Sequence, residues 1–258
     1  MSTYLIAEAG ACHDGDLDKA LQLVRVAAAC GADACKFQFV SSAERLAERR
    51  GALDFLAAYR VIQFPVEWHA VLRDACATAG IDYLCTVYLP EDIAVVAPYV
   101  ARFKLSSFEA QDHVFVEAHR AYRKPVIMST GMQGDPPIRV LVDMALLHCT
   151  SAYPTPLEEM NLGAIREYGL EGLSDHSGHV EMGGLAVAAG ARIIETHIKL
   201  ETTNSENPDA GPHALNAALY RIYVERARRA EAIMGDGIKR VQPSETEMAK
   251  YLVKGVKP

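Results

Sequence analysis

Short apolar runs, each ending in a polar cluster and followed by a longer amphipathic stretch, recur along this chain in a way that admits few architectures. Eight such runs are found, at 5–9, 34–39, 83–87, 102–106, 125–129, 145–150, 169–174 and 192–197. Parallel strands need long crossovers, and a helix is the crossover that covers a sheet face. Eight units of this kind close into a single (β/α)₈ TIM barrel, whereas fewer would favour an open doubly wound sheet. The chain's 258 residues match the roughly 250 of one such barrel, so one domain over 1–258 is expected.

The intervening stretches support this. Leu17, Ala20, Leu21, Val24, Ala27 and Ala28 form a helical stripe over 17–30, and Gly31 is placed to cap it. Residues 67–79 before Gly80, and 181–189 before Gly190, repeat the pattern. The connection 39–64 is long and carries a charged helical piece at 43–59, a candidate lid or subunit contact. Gly134, Pro136 and Pro137 leave space for about two helical turns within 133–144. A last amphipathic helix over 214–234 closes the barrel, and the polar tail over 235–258 is expected to be peripheral.

Composition narrows the function classes. Half of the residues are hydrophobic, enough for a sizeable core, and no apolar run reaches the roughly 18 residues of a membrane span. A net charge of −7 argues against general affinity for nucleic acid or anionic membranes. The first residues lack a basic, apolar signal segment, so a cytoplasmic location is the default. Six cysteines occur without a CxxC pair, as expected of reduced core residues. Cys12, beside His13, lacks the surrounding base and orienting group of a reactive thiol, so the core reading is preferred.

Side chains two apart on a strand share a face, which groups Lys36 with Gln38 and Glu195 with His197. In a barrel that face is the interior, and its C-terminal end is the active-site mouth. Lys104 likewise interrupts an apolar strand. Two lysines buried at strand ends require compensation, and an anionic ligand would supply it. Thr86, Ser107, Ser129, Ser151 and Ser174 each lie at or just past the end of a different strand. One such hydroxyl alone reads as a turn or cap; five together beside lysines read as a cradle for phosphate or carboxylate. The seventh and eighth runs each end near a histidine, His176 and His197, a candidate divalent-metal pair. Alternatively these are imidazoles bonded to backbone, with Asp175 and Glu195 orienting them. His13 is ambiguous, and His148 reads as interior and structural.

Several motifs in this order are similar to the N-acetylneuraminate (sialic acid) synthase family. They are Ile6-Ala7-Glu8-Ala9-Gly10, Lys36-Phe37-Gln38, Lys104-Leu105-Ser106-Ser107-Phe108-Glu109, Ser129-Thr130-Gly131-Met132, the stretch from Leu147 to Pro156, Gly172-Leu173-Ser174-Asp175-His176 and Glu195-Thr196-His197. The resemblance implies a metal-dependent condensation of phosphoenolpyruvate with an aldehyde sugar or sugar phosphate. The products are a 2-keto-3-deoxy sugar acid and phosphate. It further implies His176 and His197 as ligands of Mn²⁺ or Mg²⁺. Lys36, Thr86, Lys104, Ser107, Ser129, Tyr153 and Ser174 match the phosphoenolpyruvate contacts, with Ser151 in the same ring of hydroxyls. Glu8, Gln38, Glu109 and Glu195 match the catalytic acidic or amide groups near acceptor and metal, with Glu109 or Glu195 as the groups to handle water or hydroxyl protons.

Departures from the family pattern fall on the acceptor side. Cys12 and Ser151 stand where asparagines are common, and a Gly-Pro-Asp-His element takes the form Gly211-Pro212-His213. No C-terminal antifreeze-like domain is expected, and the acceptor is expected to differ from N-acetylmannosamine. A homodimer through barrel faces or the 39–64 connection is left open. Two other functions remain for comparison: a metal-dependent aldolase or lyase on the same barrel, and a non-catalytic ligand-binding barrel.

Overall fold

The structure is a computed structural model that describes residues 2–134 and 144–253. Eight parallel strands are present: β1 (Tyr4–Gly10), β2 (Ala34–Phe39), β3 (Asp82–Val87), β4 (Phe103–Leu105), β5 (Val126–Ser129), β6 (Met144–Cys149), β7 (Gly172–Asp175) and β8 (Ile193–His197). They hydrogen-bond in the order β3-β2-β1-β8-β7-β6-β5-β4, and β3 and β4, the two ends, lie against each other. The result is a nearly closed (β/α)₈ barrel, with each expected strand found within a few residues of its place.

Helices α1 (Leu17–Cys30), α2 (Ala43–Arg50), α3 (Leu56–Arg60), α4 (Trp68–Ala79), α5 (Pro90–Val96), α6 (His113–Arg120), α7 (Gly163–Glu167), α8 (Met182–Ala189) and α9 (Ala217–Met234) surround it. Asp16 caps α1 by accepting from the backbone of Asp18 and Lys19, and α1, α4 and α8 end at Gly31, Gly80 and Gly190 in the left-handed conformation. The helix expected over 43–59 is instead broken in two. Gly51, at φ +59°, ends α2, and a 3₁₀ turn at Leu53–Phe55 leads into α3. The short crossover expected over 133–144 falls mainly outside the described residues. Beyond α9 the described tail is exposed, with only two short 3₁₀ turns.

Strand alternation separates two cores. Leu5, Ala7 and Ala9 of β1, like Cys35, Phe37 and Phe39 of β2, point outward into the layer shared with the helices. Ile6, Ala34, Leu84, Ile127 and Leu147 point inward and fill the lower barrel, with Tyr4, Ala145 and Ile193 packed beside them. Gly172 of β7 pairs with Ile193, so closely that an added Cβ would lie 1.7 Å from the Ile193 carbonyl oxygen. Gly172→Ala should therefore force β7 and β8 apart and lower stability by at least about 3 kcal/mol. Gly163→Ala meets nothing within 4 Å and should change stability by less than about 0.5 kcal/mol; urea denaturation of the two variants measures the contrast.

Candidate active site

One step above the apolar inner layer, the same alternation turns polar groups into the barrel. Glu8 lies opposite Lys36 on one side and His197 on the other, and Ser174 lies opposite Glu195. Lys36 Nζ is 2.7 Å from Glu8 Oε2 and 3.3 Å from Glu195 Oε1, while Lys104 Nζ is 3.1 Å from Glu195 Oε2. All four side chains are buried. The two lysines thus already have carboxylate partners within the barrel, a source of compensation beside the anionic ligand expected from the sequence. Lys36 donates to Thr86 Oγ1 (2.9 Å), Lys104 to Ser129 Oγ (2.7 Å), and Ser174 Oγ to Glu195 (2.8 Å).

Each group's titration follows from this network. Burial pushes Glu195 up, but Lys104 and Lys36 outweigh it and hold the carboxyl well below the usual carboxylate range. Burial pulls Lys36 down, yet Glu8 and Glu195 hold it above the ordinary lysine value. Lys104 ends below that value, because burial and neighbouring Lys36 outweigh Glu195. Glu8 is pushed up to about 7, burial outweighing Lys36, with Glu195 and Asp209 adding repulsion. Three carboxyls and two ammoniums share the space, so a proton resting on Glu8 brings their sum to zero.

A cavity of about 350 Å³ opens above these groups. It brings together Glu8, Lys36, Gln38, Thr86, Lys104, Ser107, Ser129, Tyr153, Ser174, His176, Glu195 and His197. Ser107 Oγ accepts from the backbone N–H of Gly131 (2.9 Å), so the β4 and β5 ends are tied at the rim. Ser151 does not line this cavity; its hydroxyl lies 3.7 Å from Cys149 Sγ. Glu109 also lies apart, in an adjoining cavity of about 730 Å³ with Arg49, Arg50, Phe55, Tyr59 and Phe108.

At the ends of β7 and β8 stand the histidines. His176 Nδ1 faces the Thr150 carbonyl oxygen at 3.0 Å; a carbonyl only accepts, so Nδ1 carries the proton and Nε2 keeps its lone pair. His197 Nδ1 is buried without a hydrogen-bond partner, and the two rings are 5.4 Å apart. Burial, then His213 and His176, holds His197 well below the usual histidine range, leaving it neutral. Burial pulls His176 down, but the Cys149 thiol and the Thr150 carbonyl outweigh it and raise the ring above the ordinary histidine value. In its neutral form it offers, like His197, a ring lone pair of the kind that suits a divalent cation. Asp175 and Glu195 do not orient these rings as one alternative expected: Asp175 accepts from Tyr223 OH (2.9 Å) outside the barrel, and Glu195 serves the lysines. Among the described residues, His197, Asp209 and His213 also bring one potential ligand atom each within 4.8 Å of the others.

Sequence reasoning missed the contributions of two loops. Asp209 enters from the segment after β8, accepting from Ala11 N (2.7 Å) and Gln38 Nε2 (3.3 Å); Gln38 also donates to Glu8 (2.8 Å). A Cβ on Gly10 would sit 2.3 Å from Asp209 Oδ2, so this approach requires glycine there. Arg50, the last residue of α2, pairs with Glu109, and its guanidinium lies over Tyr59, Tyr88 and Phe108 at 5.5, 5.0 and 4.8 Å. The Asn207-Pro208-Asp209 turn chemistry and Gly51 were the available signals. His13 is a packing residue against Phe64 and Trp68, and burial pushes the Cys12 thiol up, away from reactivity. His148 Nε2 donates to Met160 O (2.8 Å), as a structural histidine would.

Fold and site together define a barrel scaffold whose one mouth is lined by a buried lysine pair and a histidine pair. The NeuB family profile matches residues 23–239, and the chain belongs to that family. It is 32% identical to pseudaminic acid synthase of Campylobacter jejuni over 260 residues, covering 91% of this chain and 75% of that one. It is 30% identical to N,N'-diacetyllegionaminic acid synthase of Legionella pneumophila, covering 96% of this chain and 77% of that one. Its fold superposes on N-acetylneuraminic acid (sialic acid) synthetase of Leptospira borgpetersenii, solved with citrate, with a TM-score of 0.87 and 29% identity, over 97% of this chain and 91% of that one.

Replacing Lys36 by methionine would leave Glu8 and Glu195 sharing a buried space with one cation fewer. Removal of one partner from a buried ion pair typically costs about 3–5 kcal/mol. The carboxyls then protonate more readily in the folded than the unfolded chain, so this variant's stability should fall as pH rises. Urea denaturation of Lys36→Met and the wild type should show a deficit larger at pH 8 than at pH 5, a window that spans the Glu8 value of about 7.

Proposed function

We propose that this protein joins phosphoenolpyruvate to an aldehyde sugar, releasing phosphate and forming a 2-keto-3-deoxy sugar acid. The observation that carries this reading is one mouth lined by two buried lysines and strand-end hydroxyls (Lys36, Thr86, Lys104, Ser107, Ser129, Ser174) together with His176 and His197. Kinship with synthases of pseudaminic and diacetyllegionaminic acids supports it.

In the reaction, C3 of phosphoenolpyruvate bonds to the aldehyde carbon, whose oxygen takes up a proton. Water adds at C2, and breaking the C2–O bond then expels phosphate. Lys36 and Lys104 hold the carboxylate and phosphate, and the strand-end hydroxyls orient them. Both ammoniums exchange part of their contact with Glu8 and Glu195 for the incoming anion. Glu8, poised near neutrality, is the group suited to move the proton at the acceptor oxygen, and Gln38 positions it. Tyr153 packs over His176 at 4.2 Å and covers the mouth. Glu109, held by Arg50, faces the outer part where the acceptor enters. A divalent cation such as Mn²⁺, held by His176 and His197, supplies polarisation of the acceptor carbonyl when bound. The same residues and substrates require no nucleic acid or membrane, and among the described residues no helix is long and apolar enough to cross one.

With Mn²⁺, phosphoenolpyruvate and a panel of amino-sugar and neutral aldoses, the wild type should release phosphate only when an accepted aldehyde is present. Lys104→Ala should lower kcat/KM by roughly 10²–10³-fold or more, while Lys250→Ala in the exposed tail should leave it unchanged. Absence of phosphate release with every acceptor, together with no phosphoenolpyruvate binding by calorimetry, is the result that sinks this function.

A further inference from the structure

His213 lies between β8 and α9 and is 2% exposed, yet neither of its ring nitrogens has a hydrogen-bond partner. Burying an unpaired polar group costs roughly 1–3 kcal/mol, so a native imidazole in this state points to a missing ligand. Its ring stands against His197 at 4.8 Å and Tyr153 at 5.2 Å, nearly perpendicular to both.

The backbone holds it there firmly. Leu215 N donates to His197 O (2.9 Å) and Lys199 N to Leu215 O (2.9 Å), which ties the segment to the end of β8. Lys199 Nζ binds the carbonyls of Ala210 and Gly211 at 2.7 and 3.1 Å. From the other side, Gly178 approaches so closely that a Cβ would lie 2.2 Å from Pro212 O. His213 is therefore fixed beside His197 and Asp209, directly behind the lining of the mouth.

Two imidazoles that share a cation through nitrogens about 2.1 Å from it have ring centres roughly 5 Å apart when they approach at right or tetrahedral angles. The spacings of 5.4 Å for His176 and His197, and 4.8 Å for His197 and His213, both match. Asp209 completes a cluster with His197 and His213 whose ligand atoms lie within 4.8 Å of one another, and its Oδ2 is anchored by Ala11 N. We propose that His213 and Asp209 join His197 as ligands of the cation, with His176 closing on it as a further imidazole, so that the site selects a transition-metal ion over Mg²⁺. This rests on the reading of His176 and His197 as metal ligands. Three nitrogens and one oxygen suit Mn²⁺, Fe²⁺, Co²⁺ or Zn²⁺, whereas Mg²⁺ demands oxygen donors. The remaining coordination positions stay available to water or substrate.

The test is metal binding by the stripped full chain, without substrate. Titration with MnCl₂ followed by electron paramagnetic resonance should give one ion per wild-type chain, and CoCl₂ but not equimolar MgCl₂ should displace it. Pulsed resonance should resolve three coordinated imidazole nitrogens in the wild type and two in His213→Gln. Both His213→Ala and His213→Gln should weaken Mn²⁺ binding at least about tenfold to a hundredfold, with thermal melting confirming that each is folded. The nitrogen count needs no variant, so it decides the matter even if one fails to fold. Two nitrogens in the wild type, with Mn²⁺ affinity unchanged in both His213 variants and lost in His176→Ala, would overturn the third ligand and leave the two-histidine reading intact. A wild type that binds no Mn²⁺ would overturn both.

Discussion

The contact on which the upper barrel depends is the Glu195 carboxylate shared between two buried ammoniums, at 3.3 Å from Lys36 and 3.1 Å from Lys104. Either lysine alone in the barrel would face a desolvation cost that apolar neighbours cannot offset. Glu195 sits on β8 with its side chain inward, reaching towards β2 on one side and β4 on the other, so a single acid ties together strands that are not adjacent in the sheet. Its charge holds both ammoniums in place at the barrel mouth. Two residues on, His197 shares its face, and so one strand carries both the counter-ion of the anion side and a member of the histidine side.

This arrangement also fixes why the apolar inner layer must lie below. Ile6, Ala34, Leu84, Ile127 and Leu147 exclude water from underneath the charges and force them to satisfy one another sideways or upward. Thr86, Ser129 and Ser174 supply hydroxyls at the height of the lysines, because each stands at the inward-facing end of its own strand. The low-dielectric floor makes every one of these contacts stronger than it would be in water. The same floor raises Glu8, the acid with the weakest net compensation, towards neutrality.

How much of this was legible in the sequence follows from what is periodic. The strands were legible because each apolar run breaks into polar residues at its end, and the helices because a 3.6-residue stripe precedes a capping glycine. Lys36, Lys104, His176 and His197 stood out as polar intrusions into that pattern. That Glu8 and Glu195 are the counter-ions of the lysines was not legible, because the meeting of Glu8, Lys36 and Glu195 depends on β1 lying between β2 and β8, a consequence of closure that no local window contains. The break at Gly51 was visible as a glycine, but its left-handed conformation was decided by the tertiary path of the loop. Asp209 lies in an aperiodic segment and is defined as a site residue only by the approach of Gly10 and Gln38.

The outer wall shows the same division between scaffold and loop. Because α2 stops at Arg50, the guanidinium is delivered to Glu109 on the β4–α6 loop while Phe55 and Tyr59 fold back beside it. Three aromatic rings around one cation reduce its need for water, and the Glu109 carboxylate fixes its orientation. Phe55 and Phe108 remain more than half exposed and border both cavities. The inner, polar part of the mouth is thus dictated by strand register, which tolerates little variation, whereas the outer, aromatic part is set by the connection between β2 and α4. A barrel that keeps its strand ends and changes this connection keeps its buried lysine network and alters what can enter above it.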